Sequence, residues 1–165
     1  MDILAQNPLT LALQKAGVVA GTTTTLTITT ATPFALKGKA FVVAAAANGA
    51  VPIVDDITAA AFVPVTPGTG AAFVIAVDAA GVLRVTQSAL WALDPALTSG
   101  AALFITGPQM PAVKDTRCPL AYLVVKVGSA GAAWTFGVSN MAGPPANTSL
   151  TFVDVVTLPE RPQVA

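Results

Sequence analysis

The sequence has 165 residues, of which 54% are hydrophobic and only 10% are charged, and its formal net charge is zero. Because ordinary soluble domains carry ~25% charged residues and the Lys and Arg residues here are scattered, we expect no nucleic-acid partner. The most apolar stretch, 40–54, is interrupted by Asn48, Gly49 and Pro52. It therefore falls short of the ~20 residues of a membrane-spanning helix, and we expect no membrane partner. The length suits one domain, and the low charge predicts a surface that other chains cover.

Residues 1–20 are interpreted as an apolar N-terminal arm whose structure the pattern leaves open. Asn7-Pro8 would suit the start of a short helix. Leu9, Leu11 and Leu13 alternate at period two, which suits a strand equally well. The arm either packs on its own domain or reaches a neighbouring subunit.

Residues 21–158 are predicted to form a β-rich domain, because short apolar or Thr-rich runs alternate with turn signals. Lys37-Gly38-Lys39 predicts a turn or bulge, and 78–81 predicts a hairpin connection. Thirteen Pro and thirteen Gly argue against helices. The spacing predicts an all-β fold, a single β-sandwich or barrel domain with an extended or short-helical N-terminal arm. The later apolar runs are 62–65, 71–77, 82–85, 101–105, 122–127, 134–138 and 150–156.

Residues 159–165 form a Pro-rich C-terminal tail, which we expect to be extended. It is either a frayed end or a segment that docks on a neighbouring chain.

The side chains that most enzymes need are missing from the sequence. There is no histidine and one cysteine, Cys118, so the commonest general base and the usual zinc ligands are absent. Asp55-Asp56 is the only adjacent carboxylate pair, and we expect it to lie in a solvated loop. We expect Cys118 to be a small buried residue and Trp134 to pack in the core. The sequence therefore predicts a protein that is not an enzyme and has no catalytic residues, metal or cofactor.

The densest charged cluster is formed by Lys114, Asp115 and Arg117. One interpretation is an exposed loop with a local ion pair, which would contribute under ~1 kcal/mol. The other is a polar contact that fixes the register of an assembly interface.

Four segments resemble virion structural proteins of tailed bacteriophages: 34–40 (FALKGKA), 115–126 (DTRCPLAYLVVK), 134–137 (WTFG) and 152–162 (FVDVVTLPERP). The resemblance extends over roughly residues 22–162 and is strongest to small head decoration, or cement, proteins. Such proteins are β-rich, bind the outside of the shell as oligomers and lock neighbouring capsomers. The resemblance implies no cofactor and no catalytic residues.

Resemblance and composition together predict a virion protein on the capsid surface, made in the host cytoplasm. It would stabilise contacts between capsomers. The expected partners are the major capsid protein and further copies of the chain, with a trimer preferred over a dimer. The alternative is a tail, fibre or baseplate component that acts as an attachment or host-binding module. The residues expected at the interface are Ile3, Leu4, Leu9, Leu11, Leu13, Lys114, Asp115, Arg117, Pro159, Arg161 and Pro162.

Overall fold

The computed structural model describes residues 9–159 and 161–162, and this part of the chain is all-β, which confirms the predicted fold class. Three sheets pack together in an arrangement consistent with a β-sandwich. In the described ranges no helix is long and apolar enough to cross a membrane. The strands are β1 (Leu11–Ala12), β2 (Val18–Ala20), β3 (Leu26–Ile28), β4 (Thr32–Leu36), β5 (Lys39–Val43), β6 (Ala46–Gly49), β7 (Thr69–Val77), β8 (Leu83–Gln87), β9 (Trp91–Ala92), β10 (Cys118–Val127) and β11 (Thr148–Asp154).

The three sheets differ in size. The central sheet has the order β11-β10-β7-β8, with β9 paired to β7. The hairpin sheet has the order β1-β4-β5, and the small sheet has the order β2-β3-β6. Every strand pair is antiparallel, so neighbouring strands can be joined by short turns.

The two middle strands of the central sheet, β7 and β10, are buried on both faces, which explains why they are near-continuous apolar runs. Phe73, Ile75 and Val77 belong to the main core, to which the hairpin and small sheets also contribute side chains. Val74 and Tyr122 belong to a second cluster, which loop residues and the segment after β11 cover.

Aromatic rings fill the centre of the main core. The rings of Phe73 and Phe136 stack with centroids 5.2 Å apart, and Phe62 meets Phe136 edge-on at 5.1 Å. Trp134 is fully buried, and its indole N–H donates to the carbonyl of Asn140 at 3.2 Å. The prediction that Trp134 packs in the core is therefore confirmed, and its hydrogen bond satisfies the one polar atom of the ring.

Three apolar runs that looked like strands, 62–65, 101–105 and 134–138, form none in the structure. They contribute only isolated bridges, Val65 to Trp134 and Leu93 to Phe104. Phe62, Val65, Trp134 and Phe136 pack in the main core and Phe104 packs against the second cluster, so burial without strand pairing explains these apolar residues. The other large apolar side chains of the three runs are exposed: Val63, Leu103, Ile105 and Val138.

Both predicted turns are confirmed. Lys37 and Gly38 have φ values of 50° and 75° and join β4 to β5, as expected for a type I′ hairpin. Between β7 and β8, the Asp78 carboxylate accepts hydrogen bonds from the backbone N–H groups of Ala80 and Val82, both at 3.0 Å. This Asx-type bonding fixes the reversal of the chain.

The described part of the N-terminal arm forms strands. β1 pairs with β4, and β2 pairs with β3, so this part packs on its own chain. The N–H of Ala12 also donates to the carbonyl of Val156 at 3.0 Å, which brings the segment after β11 beside β1.

Candidate assembly surface

The hairpin sheet has one face in the core and one in solvent. Its register places Leu11 beside Ala35 and Ala35 beside Ala40, and directly paired residues project from the same face of a sheet. The next row, Ala12 and Phe34, is fully buried. The row of Leu11 therefore lies on the outer face.

Exposed apolar side chains cover this outer face. The exposed fractions of Leu9, Leu13 and Val42 are 66%, 57% and 65%. The N–H of Leu13 donates to the carbonyl of Pro33 at 2.9 Å, which aligns Leu13 with the Pro33–Val42 pair. Large exposed apolar patches are typical of interaction sites. We call it the apolar platform, and it consists of Leu9, Leu11, Leu13, Pro33, Ala35, Ala40 and Val42.

An ion pair at the hairpin turn borders the platform. Lys37 donates to the Asp115 carboxylate at 2.7 Å, and the backbone N–H of Lys37 donates to the Thr10 hydroxyl at 3.2 Å. The hydrogen bond from Lys37 and its positive charge hold the pKa of Asp115 below its usual value. A cavity of about 430 Å³ opens here, lined by Thr10, Lys37, Val113, Lys114, Asp115, Arg117 and Pro119.

A second ion-pair cluster connects this loop to a distant segment. The Arg117 guanidinium donates to both carboxylate oxygens of Asp56, at 3.0 and 3.2 Å, and Lys114 lies 3.6 Å from the same carboxylate. Burial raises the pKa of Asp56, but the Arg117 hydrogen bond and the positive charges of Arg117 and Lys114 outweigh it and hold the pKa below its usual value. The expected local ion pair is therefore wrong: each group pairs with a residue far away in sequence.

The expectation of a solvated loop at Asp55-Asp56 is also wrong. Asp55 is buried, and its carboxylate accepts hydrogen bonds from the N–H groups of Ile57, Thr58 and Gln87 at 2.7–2.9 Å. The N–H of Asp56 donates to the carbonyl of Val85 at 2.9 Å. These bonds place the segment against the outer edge of β8, so both aspartates are structural.

Six of the expected interface residues are brought into one region. Leu9, Leu11 and Leu13 lie on the platform, while Lys114, Asp115 and Arg117 lie in the loop beside it.

The three tail residues lie elsewhere, and Ile3 and Leu4 fall outside the described residues. Pro159 lies near Tyr122, Pro162 is buried and Arg161 is exposed. Tail positions 159 and 162 therefore pack against their own chain.

Five residues of this surface were missed by the sequence analysis: Pro33, Ala35, Ala40 and Val42 on the platform and Lys37 at its border. In β5 the apolar residues Phe41 and Val43 alternate with Ala40 and Val42, so hydropathy does not distinguish the inner face from the outer. The available signal was the period-two spacing of Leu9, Leu11 and Leu13, which would place them on one face if the segment is a strand.

In the described part of the chain no cluster of three or more His, Cys, Asp or Glu side chains could hold a metal ion. Cys118 is buried as expected, and burial raises the pKa of its thiol to about 11. A thiol with such a pKa is a poor nucleophile at neutral pH.

No protein-family model matches this chain, and neither a curated protein nor a solved structure matches it significantly. The resemblance to phage virion proteins therefore stays a prediction.

Proposed function

We propose that this protein is a structural, non-enzymatic component of a tailed-phage virion that binds the outside of the capsid and stabilises contacts between capsomers. The observation that carries the proposal is the apolar platform. A folded chain with few charges exposes Leu9, Leu13 and Val42 on one sheet face. Burying a large aliphatic side chain contributes roughly 1.5–3 kcal/mol, so covering this face would stabilise a complex.

The charged loop beside the platform supports the same proposal by supplying orientation. The Lys37–Asp115 pair is exposed, and it lies at the rim of the apolar face. Polar groups at the rim of an apolar contact set register and selectivity more than affinity. The partners we propose are the major capsid protein and further copies of this chain. Repetition over a symmetric shell would supply avidity without a tight single site.

The first test is the copy number of the chain in purified virions, by quantitative mass spectrometry against the major capsid protein. A decoration protein is present in hundreds of copies per particle. Absence from the particle would refute the proposal. A handful of copies would refute it in favour of the tail, fibre or baseplate alternative.

The second test is binding of the purified chain to undecorated shells. The variant Leu9→Gln/Leu13→Gln should bind about tenfold or more weakly, because two apolar side chains lose their contribution to the interface. A matched control is Leu103→Gln/Ile105→Gln, whose residues are 58% and 63% exposed and lie beside β9 of the central sheet. Equal loss of binding in both variants would show that the platform is not the docking face.

A further inference from the structure

The outer side of β5 carries backbone groups that β4 does not use. A two-residue turn makes Leu36 and Lys39 a hydrogen-bonded pair, and such pairs alternate along an antiparallel ladder. Phe41 is therefore bonded to Phe34, while the N–H and C=O groups of Ala40 and Val42 point away from β4. Pro33, which has no N–H to donate, stands opposite Val42, as this alternation requires.

This side of β5 is open. Ala40 and Val42 are exposed, and in the described part of the chain their outward N–H and C=O groups make no hydrogen bond. The edge of β8 is different, because Asp56 bonds to Val85 and Asp55 bonds to Gln87 along it.

Apart from Lys39 at its first position, this strand lacks the usual protections of an exposed edge. Residues 40–47 contain no charge and no proline, and the β4–β5 register shows no bulge. Proteins blunt free edges with charges, prolines, bulges or covering loops, because a bare edge pairs with another strand. The chemistry of the edge thus specifies its occupant as an extended backbone.

We propose that β5 pairs with β5 of a second copy, antiparallel about a two-fold axis. The outward groups lie at Ala40 and Val42, symmetrically about Phe41, so the same strand rotated by half a turn presents the matching donors and acceptors. Ala40 then bonds to Val42 of the second copy, and the two Phe41 residues stand opposite each other. Lys39 faces Val43 of the second copy, so no like charges are opposed.

This pairing also joins the two apolar platforms. The hairpin sheets become one continuous sheet, and its outer face carries both sets of exposed Leu and Val side chains. The inference deepens the proposed function by naming the contact between copies. It gives a dimer, the commonest closed oligomer, in place of the trimer that the sequence analysis preferred.

The first experiment measures the solution mass of the purified chain by analytical ultracentrifugation, without any shell. Wild type should be a dimer at micromolar concentration. Val42→Pro removes an outward N–H and should weaken dimerisation about tenfold or more. Each copy of the strand loses one intermolecular hydrogen bond, and the proline misaligns the intermolecular hydrogen bond next to it. The matched control Val42→Thr keeps the N–H and the β-branched shape and should remain dimeric.

The second experiment tests the register by disulfide cross-linking and does not depend on the folding of the proline variant. A mixture of Ala40→Cys and Val42→Cys proteins should cross-link under mild oxidation, while each protein alone should not. Buried Cys118, whose thiol pKa is raised to about 11, is not expected to compete.

A monomeric wild type, a dimer unaffected by Val42→Pro, or a mixture that does not cross-link would each overturn the inference. Cross-linking of Val42→Cys alone would also overturn it, because in the stated register residue 42 of one copy does not face residue 42 of the other. None of these outcomes bears on shell binding, which the Leu9/Leu13 variant tests separately.

Discussion

The central sheet and the hairpin sheet are both rich in small apolar residues, but they bury different fractions of them. In β7 every residue from Gly70 to Val77 is buried. In β5 only Val43 is buried. The difference lies in what covers each sheet: the central sheet has packed elements on both faces, while the hairpin sheet has them on one. Apolar composition therefore supplies both a core and an exposed apolar face, and neighbouring elements decide which.

The sharpest way to expose this contrast is to shorten one side chain in each sheet. Phe73→Ala should lower the free energy of unfolding by about 3–5 kcal/mol, because the side chain packs against Trp134 and Phe136 and its loss leaves a cavity. Val42→Ala should change it by less than ~0.5 kcal/mol. Urea unfolding of both variants measures the difference. Similar losses would mean that the outer face of β5 is buried in the monomer.

Two ion pairs extend the comparison to the borders of the sheets. Arg117, which precedes β10, bonds to the mostly buried Asp56 carboxylate. Arg117→Ala should cost about 1.5 kcal/mol of unfolding free energy, since a partly desolvated carboxylate loses a bidentate partner. Lys37→Ala, which removes the exposed pair at the hairpin turn, should leave the urea midpoint unchanged. Equal shifts in the two variants would contradict the difference in burial.

The same Asp56 pair predicts a pH dependence. The folded pKa of Asp56 lies below the ordinary value of 3.8, so its stabilising contribution is complete above that value and is lost as pH falls through the folded pKa. Unfolding free energy should therefore decline below about pH 4. The decline should be shallower in Arg117→Ala, and urea titrations between neutral and acidic pH measure it. An identical decline in both proteins would assign the acid sensitivity to other carboxylates, such as Asp78.

The smallest expected effect on stability belongs to the platform itself. Leu13→Gln removes an exposed apolar side chain and should shift unfolding by less than ~0.5 kcal/mol, while reducing association with partners. Thermal unfolding of dilute protein checks the expected small change in stability. A large loss of stability would show that Leu13 contributes to the core of its own chain.

Much of the fold followed from local patterns. The runs that became β7 and β10, the turn at Lys37-Gly38-Lys39 and the reversal at Asp78 were all predicted, because strand periodicity and turn chemistry act over a few residues. The expectation of strands at 62–65, 101–105 and 134–138 is wrong, since an apolar run that packs on a sheet has the same composition as one that belongs to it.

The candidate site was predictable only in part. The alternation of Leu9, Leu11 and Leu13 suited a strand, in which the three side chains share a face, while the helical alternative stayed open. The cluster at 114–117 drew attention to its loop. Nothing local indicated that Arg117 would pair with Asp56, because 61 residues separate them. Val42 was missed for a similar reason, since its exposure depends on the absence of a covering element.

By itself the sequence determined the strand class, the turns and the absence of histidine, because these follow from composition and from contacts between near neighbours. It also determined that Leu9, Leu11 and Leu13 project together if the segment is extended. Only the tertiary structure decided that this shared face points to solvent and that β8 is covered while β5 is bare. Burial is set by elements distant in the chain, and hydropathy records only that a side chain favours burial, in its own core or against another chain.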